Sequence, residues 1–176
     1  MTFETFCDHV LQLGDTPRSG WFSAGVVQPE SVAEHSYGVA VLTMKLAELV
    51  SEPIDVGVAV QVALIHDLGE SIIGDIPKPV KRRIGDVIDD VERAAVEEIV
   101  ETASWMSLFD AYVSRSTPEG RLVKSADTIH MLSMALRYRR RGADVDRFFA
   151  RTYSDWGFPE VRGVLDVLFE RWRSGL

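Results

Sequence analysis

The stretch A-L-I-H-D-L-G-E, residues 63–70, starts as an apolar helix and turns abruptly polar. On a helix, Glu70 falls four residues after His66 and three after Asp67, so all three side chains can face one cavity. Burying a histidine and two carboxyl groups there is costly unless something pairs with them. A divalent cation would do so. Two further candidate ligands lie in stretches that also read as helix, His35 upstream and Asp127 downstream. Three helices would then offer two imidazole nitrogens and two carboxylate oxygens to one ion, with positions left for water and substrate. A lone His-Asp pair is weak evidence. It becomes strong when an earlier histidine opens another helix and a later Ala-Asp lies in a third.

Outward from this stretch, apolar residues recur at helical spacing and no run alternates strictly, which predicts an all-α, single-domain helical bundle over residues 1–176. A first helix is expected over about residues 2–13, ending at Gly14 and followed by a Gly/Pro-rich loop. Ser31-Val32-Ala33-Glu34 is a capping box, so a second helix runs from there to about residue 50. The helix bearing His66 spans about residues 55–68 and closes at Gly69. Gly74, Pro77, Pro79 and Gly85 predict a loop over 71–85. Helices follow at about 86–103 and 104–114, then a long one from Pro118 at its first position to Arg141. Segments at about 143–155 and 159–173 complete the chain.

The hydrophobic fraction of 46% and charged fraction of 26% are those of an ordinary globular chain, long enough at 176 residues for one well-buried core. A net charge of −8 argues against a nucleic-acid polymer or an anionic membrane as partner, since both demand a basic footprint. A small anionic substrate remains compatible, because a local site can be positive on an acidic protein. Cys7 is the only cysteine, which rules out an intrachain disulfide and a thiolate zinc site. The N-terminal residues lack a basic segment followed by an apolar one, and the longest apolar stretches carry charges too early for a membrane span. A cytoplasmic setting is the expectation.

Four short motifs, E-H-S-Y (34–37), H-D-L-G-E (66–70), G-D-I-P (74–77) and K-S-A-D (124–127), together resemble the HD-domain metal phosphohydrolases, nearest to the 5′-deoxynucleotidase branch. The similarity begins at P-R-S-G-W (17–21) and extends to the helix around Asp127. The resemblance implies that His35, His66, Asp67 and Asp127 bind one divalent metal ion (Mn²⁺, Co²⁺, Fe²⁺, Mg²⁺ or Zn²⁺). It also places Glu70 and Asp75 at the active site as acid–base candidates, although Asp75 alone could simply open a turn before Pro77. Arg18 matches the family's phosphate-contacting arginine. Trp21 is a candidate nucleoside contact or a plain core residue. In the bacterial deoxynucleotidases the tryptophan directly follows the arginine, whereas here Ser19 and Gly20 intervene, which leaves the choice between deoxyribose and ribose open.

Lys78 follows G-D-I-P and is a further phosphate candidate, set against the alternative that residues 78–83 form a solvated basic face. Residues Arg137 to Arg141 complement a helix C-terminus. The capping box accounts for Glu34, so it is not counted as a ligand. His9 reads as an exposed helix residue. His130, three residues after Asp127, reads as packing beside a ligand rather than ligating.

These residues predict metal-assisted hydrolysis of a (deoxy)nucleoside 5′-monophosphate, with Arg18 holding phosphate and Glu70 and Asp75 managing protons. Three alternatives are carried: cleavage of cyclic nucleotides or nucleotide polyphosphates at the same metal, a two-metal site, and a non-catalytic metal-stabilised binding module. A total of four histidines disfavours the two-metal site. Members of the branch commonly pair, so a homodimer is expected. The aromatics Phe158, Phe169 and Trp172 could supply its interface or close the core.

Overall fold

A computed structural model describes residues 1–175. Helix α1 (Phe3–Asp15) is capped by Thr2, whose hydroxyl accepts from the Thr5 N–H. It runs through Gly14 rather than ending there, because Thr16 stops it: both the N–H and the hydroxyl of Thr16 bond to the Gln12 carbonyl. A loop follows that contains a 3-10 helix (Ser19–Ala24). Its two ends are pinned together where Arg18 N–H donates to the Glu30 carbonyl and Val32 N–H donates to that of Thr16. Helix α2 (Val32–Ala47) opens with the expected capping box. Glu34 N–H donates to Ser31 Oγ at 3.1 Å, and Ser31 N–H donates to Glu34 Oε2 at 2.7 Å.

Asp55 caps α3 (Val56–Ile65). This helix stops before Leu68, earlier than its apolar pattern suggests. From His66 onward the backbone tightens into three-residue turns, with Leu68 N–H to Ile65 O and Glu70 N–H to Asp67 O, before α4 (Glu70–Ile73). The stretch expected to be loop also contains α5 (Lys78–Ile84). Pro79 is tolerated because it sits in the first turn, where a missing N–H costs nothing. Gly85, at φ 73°, ends the helix.

The remaining helices are α6 (Val87–Ile99), α7 (Ala103–Ser114), α8 (Pro118–Arg139), α9 (Asp146–Phe149) and α10 (Pro159–Arg173). Only four residues of the expected 143–155 helix are helical. No strand occurs among the described residues, and the all-α expectation holds.

Helices α2, α3, α7 and α8 pack on one another, with α8 central: Leu122, Val123, Ala126, Leu132 and Ala135 are fully buried. The α7–α8 approach is close because residue 120 is glycine; a Cβ there would lie 2.0 Å from the Ala111 carbonyl oxygen. A second apolar cluster joins Leu13, Ile65, Leu68, Val96 and Phe109. Val62 and Ala63 belong to the first cluster and Ile65 and Leu68 to the second, so the His66–Asp67 turn emerges at the seam between them. The tight turn is held there by Gly69, where a Cβ would come within 3.1 Å of Val96 and 3.3 Å of the Glu92 carbonyl oxygen.

The C-terminal aromatics close the core. Phe158 is buried, and Trp172 stacks on Phe149 at 5.2 Å with Phe169 edge-on to the same ring. The stretch Val56–Ile73 is apolar enough over 18 residues to cross a membrane by composition. Here it is broken at residues 66–69, and its polar groups His66 and Glu70 are packed inside the protein.

Candidate metal centre and phosphate pocket

His66 sits where α3 gives way to the turns, and its Nδ1 lies 2.7 Å from the Ala63 carbonyl oxygen. A carbonyl only accepts, so Nδ1 carries the proton and Nε2 offers a lone pair. That Nε2 is buried without a hydrogen-bond partner, 3.1 Å from Asp67 Oδ2. His35, from the first turns of α2, is fully buried with an equally unpartnered Nε2. This nitrogen lies 3.4 Å from Asp127 Oδ1 and 3.7 Å from Asp67 Oδ2. Ligand atoms of His35, His66 and Asp127 all fall within 4.8 Å of one another. Asp67 meets both imidazoles and additionally holds Arg18.

The donor set suits a divalent cation. Two buried lone pairs facing two carboxylates would otherwise forfeit their solvation, and such groups are rarely left unpaired. Two nitrogens and two oxygens are compatible with Zn²⁺, Mn²⁺, Co²⁺ or Fe²⁺. The electrostatics agree. Burial, and then Arg18, pull His35 down to about 3, so it is neutral and available as a ligand. Burial would raise Asp127, but the neighbouring Lys124 ammonium holds it well below the usual carboxylate range. Asp67 is likewise held low against its burial, by the Arg18 guanidinium beside it.

Beside this cage stands a second cluster. Arg18 Nη1 lies 2.9 Å from Asp67 Oδ2, 3.6 Å from Asp75 Oδ1 and 4.0 Å from Glu70 Oε2. Burial works against the guanidinium charge, yet Asp67, Asp75 and Glu70 more than offset it. Asp75 is fixed by the two residues that separate Arg18 from Trp21: Ser19 Oγ donates toward its Oδ2 at 2.8 Å, and Gly20 N–H does so at 3.3 Å. Glu70 Oε2 is buried with no hydrogen bond. Burial, and then the Asp67 charge, push its carboxyl up to about 10.

All the sequence-predicted site residues converge except in degree for Trp21. Its ring is 3% exposed, edge-on to Tyr138 and against Phe148, and its Nε1–H donates to Glu30 Oε1 at 3.1 Å. It is a core residue that also contributes to the cavity wall. That cavity, about 510 Å³, is lined by Arg18, Glu70, Asp75, Lys78 and Lys124 among others. Its size is that of small-molecule sites in general.

Several neighbours carried no separate weight in the sequence. Lys124 stands 3.5 Å from Asp127 Oδ2 and donates to the Tyr112 hydroxyl at 2.6 Å, and Tyr112 in turn donates to Asp127 Oδ2 at 3.0 Å. Lys124 could have been found, because three residues before Asp127 is the same helix face. Nothing in the sequence marked Tyr112. Lys81, within the supposed solvated basic run, pairs with Glu92 and lies 3.9 Å from Glu70 Oε1.

A family model for the HD domain matches residues 10–162. The chain belongs to the HD domain family. A 5′-deoxynucleotidase of Schizosaccharomyces pombe is 34% identical to this HD protein over 94% of the chain and 88% of its own length. Among solved structures, a conserved hypothetical protein from Pyrococcus furiosus matches with a TM-score of 0.83 at 33% identity, covering 97% of this chain and 99% of that one. The cyanophage S-2L HD phosphohydrolase, solved with dA and one catalytic Zn²⁺ ion, shares the HD fold at 22% identity and a TM-score of 0.63, over 96% of each chain.

Proposed function

We propose that this HD domain, as a single unit over residues 1–176, is a metal-dependent phosphohydrolase that converts deoxyribonucleoside 5′-monophosphates to nucleoside and phosphate. The observation that carries the proposal is the pair of orphaned imidazole nitrogens facing two carboxylates, with one half-buried arginine on the cavity side. A purely structural metal site has no use for that arginine or for the uncommitted Glu70. The name of the fission-yeast relative supports the same activity.

His35, His66, Asp67 and Asp127 would hold the ion, which when bound supplies Lewis-acid polarisation and a more acidic water. Arg18 gives one N–H to Asp67 and retains others for phosphoryl oxygens, where negative charge builds during cleavage. Lys78 and Lys124 line the same cavity and add positive potential toward a dianionic phosphate. Water supplies the oxygen that joins phosphorus as the bond to the 5′ oxygen breaks. Of Glu70 and Asp75, one takes the proton that water gives up, and the other provides the proton that the 5′ oxygen needs. The edge of Trp21 in the cavity wall would contact the sugar or base.

A screen of dAMP, AMP, a cyclic nucleotide and a nucleoside triphosphate against Mn²⁺, Co²⁺, Zn²⁺ and Mg²⁺ tests the proposal. Phosphate release is expected from dAMP with at least one metal and none after chelation. Turnover of only the cyclic or polyphosphate substrates would assign a different leaving group, and no turnover at all would point to a binding module.

The expected homodimer stands as a proposal too, in a cytoplasmic setting. With the C-terminal aromatics spent on the core, the exposed Tyr37, Val41 and Met44, one face of α2, are one apolar surface that could serve it. Light scattering after gel filtration should give twice the 19.7 kDa chain mass, and Val41→Glu should halve it. A parent chain already at monomer mass overturns the pairing.

A further inference from the structure

We infer that His130, seated against Gly38 and backed by Glu30, positions His35 for cation binding by fixing which of its nitrogens carries the proton. The inference rests on the proposed role of His35 as a ligand through Nε2. The other nitrogen of that ring, Nδ1, lies 3.0 Å from His130 Nδ1. Two imidazole nitrogens in contact share one proton, so one must donate and the other accept. If Nε2 of His35 keeps a lone pair for a cation, its proton sits on Nδ1 and His130 Nδ1 accepts it.

Glu30 decides the direction. When His130 accepts at Nδ1, its own proton lies on Nε2, the nitrogen turned toward Glu30 Oε2 at 3.8 Å. The reverse arrangement would aim a lone pair at that carboxyl group. Glu30 is itself buried and held in place, accepting from Trp21 Nε1 at 3.1 Å while its backbone N–H donates to the Tyr138 hydroxyl at 2.7 Å. The line Trp21–Glu30–His130–His35 therefore ends at the unpartnered Nε2 in the cage.

Gly38 is an independent mark of the same arrangement. It lies inside α2, three residues after His35, where glycine is unfavourable relative to alanine. A Cβ there would fall 2.2 Å from His130 Nε2 and 2.4 Å from its Cδ2. The glycine makes the notch into which the His130 ring fits.

The test is Co²⁺ titration by calorimetry of the chelator-treated chain, with thermal melts recorded alongside. His130→Leu should weaken Co²⁺ about 10–100-fold, the usual cost of losing such a supporting partner. His130→Asn, whose amide oxygen can accept near the Nδ1 position, should stay close to the parent. Gly38→Ala should weaken Co²⁺ in the parent but add nothing in the His130→Leu background. Imidazole ¹⁵N spectra of the cation-free parent should show His35 protonated at Nδ1, with a tautomer mixture in His130→Leu. Parental Co²⁺ affinity in His130→Leu, or an Asn variant as weak as the Leu one, overturns the inference. Asp127→Ala separates the two levels. If it loses Co²⁺ while His130→Leu keeps it, only the role of His130 is wrong. If it also binds like the parent, the cage is wrong and the positioning role falls with it.

Discussion

Glu70→Gln is expected to keep the fold and the cation while lowering dAMP turnover by about 10²–10⁴-fold, the range for a lost general acid or base. Asp127→Ala should lose cation binding and turnover together. The contrast follows from where the two carboxyl groups stand. Asp127 faces His35 Nε2 at 3.4 Å and is fixed on its other oxygen by Tyr112, so its removal takes one wall from the cage. Glu70 Oε2 is buried without a hydrogen bond, 4.0 Å from Arg18, and Glu70 lines the cavity rather than the histidine cluster. A glutamine preserves its shape and its contact with Lys81 but cannot pass a proton. The measurements are Co²⁺ calorimetry and phosphate release under saturating metal. A Glu70→Gln enzyme that turns over dAMP at the parental rate would remove Glu70 from proton transfer. One that loses Co²⁺ as fully as Asp127→Ala would make Glu70 a ligand instead.

How far the sequence carried this picture depends on the physics behind each feature. Local chemistry was legible. Ser31 and Glu34 formed the capping box because both partners lie within one turn, and the helical periodicity placed α2, α3 and α8, although α2 and α3 end a few residues early. The candidate ligands His35, His66, Asp67 and Asp127 were legible because each lies in one of the short motifs shared with the HD phosphohydrolases, and ligand atoms of His35, His66 and Asp127 do come within 4.8 Å of one another. Tertiary effects were not. Pro77 and Pro79 suggested a loop, yet α5 tolerates proline in its first turn, and with α5 comes Lys81 beside Glu70. The break at residues 66–69 is set by the contact of Gly69 with α6, which periodicity cannot register. Ser19 and Gly20 looked like a departure from the bacterial pattern. In the folded chain they hold Asp75 against Arg18, a long-range contact that only the closed loop creates. Glu30, His130 and Gly38 join from distant positions for the same reason.

Raising the pH should destabilise the cation-free chain, and Glu70 should be the cause. Its carboxyl is pushed from an ordinary 4.5 up to about 10 by burial and by Asp67. The folded chain therefore keeps a proton that the unfolded chain releases. That contribution is complete below pH 4.5 and is lost as the pH rises toward 10, at about 1.4 kcal/mol per pH unit between. Other groups shape the acid side. Glu30, raised to about 7 by burial, acts in the same sense but is exhausted above that pH. His35 and His130, lowered to about 3 and 4 by burial, are protonated in the unfolded chain but not in the folded one between about pH 4 and 6.5, and so oppose the two carboxyls there. The clearest window is thus about pH 7 to 9, where urea unfolding should show a loss on the order of 3 kcal/mol. Lys124, drawn below its ordinary 10.5 by burial, works the other way at the alkaline end. It is common to the parent and to Glu70→Gln, so the difference between their stability curves isolates Glu70. The variant should lack the slope, and a saturating divalent cation should flatten it in the parent by favouring the ionised carboxylate. If the parent and the variant instead run parallel from pH 7 to 9, Glu70 is already ionised in the cation-free folded chain and is not the source of the slope.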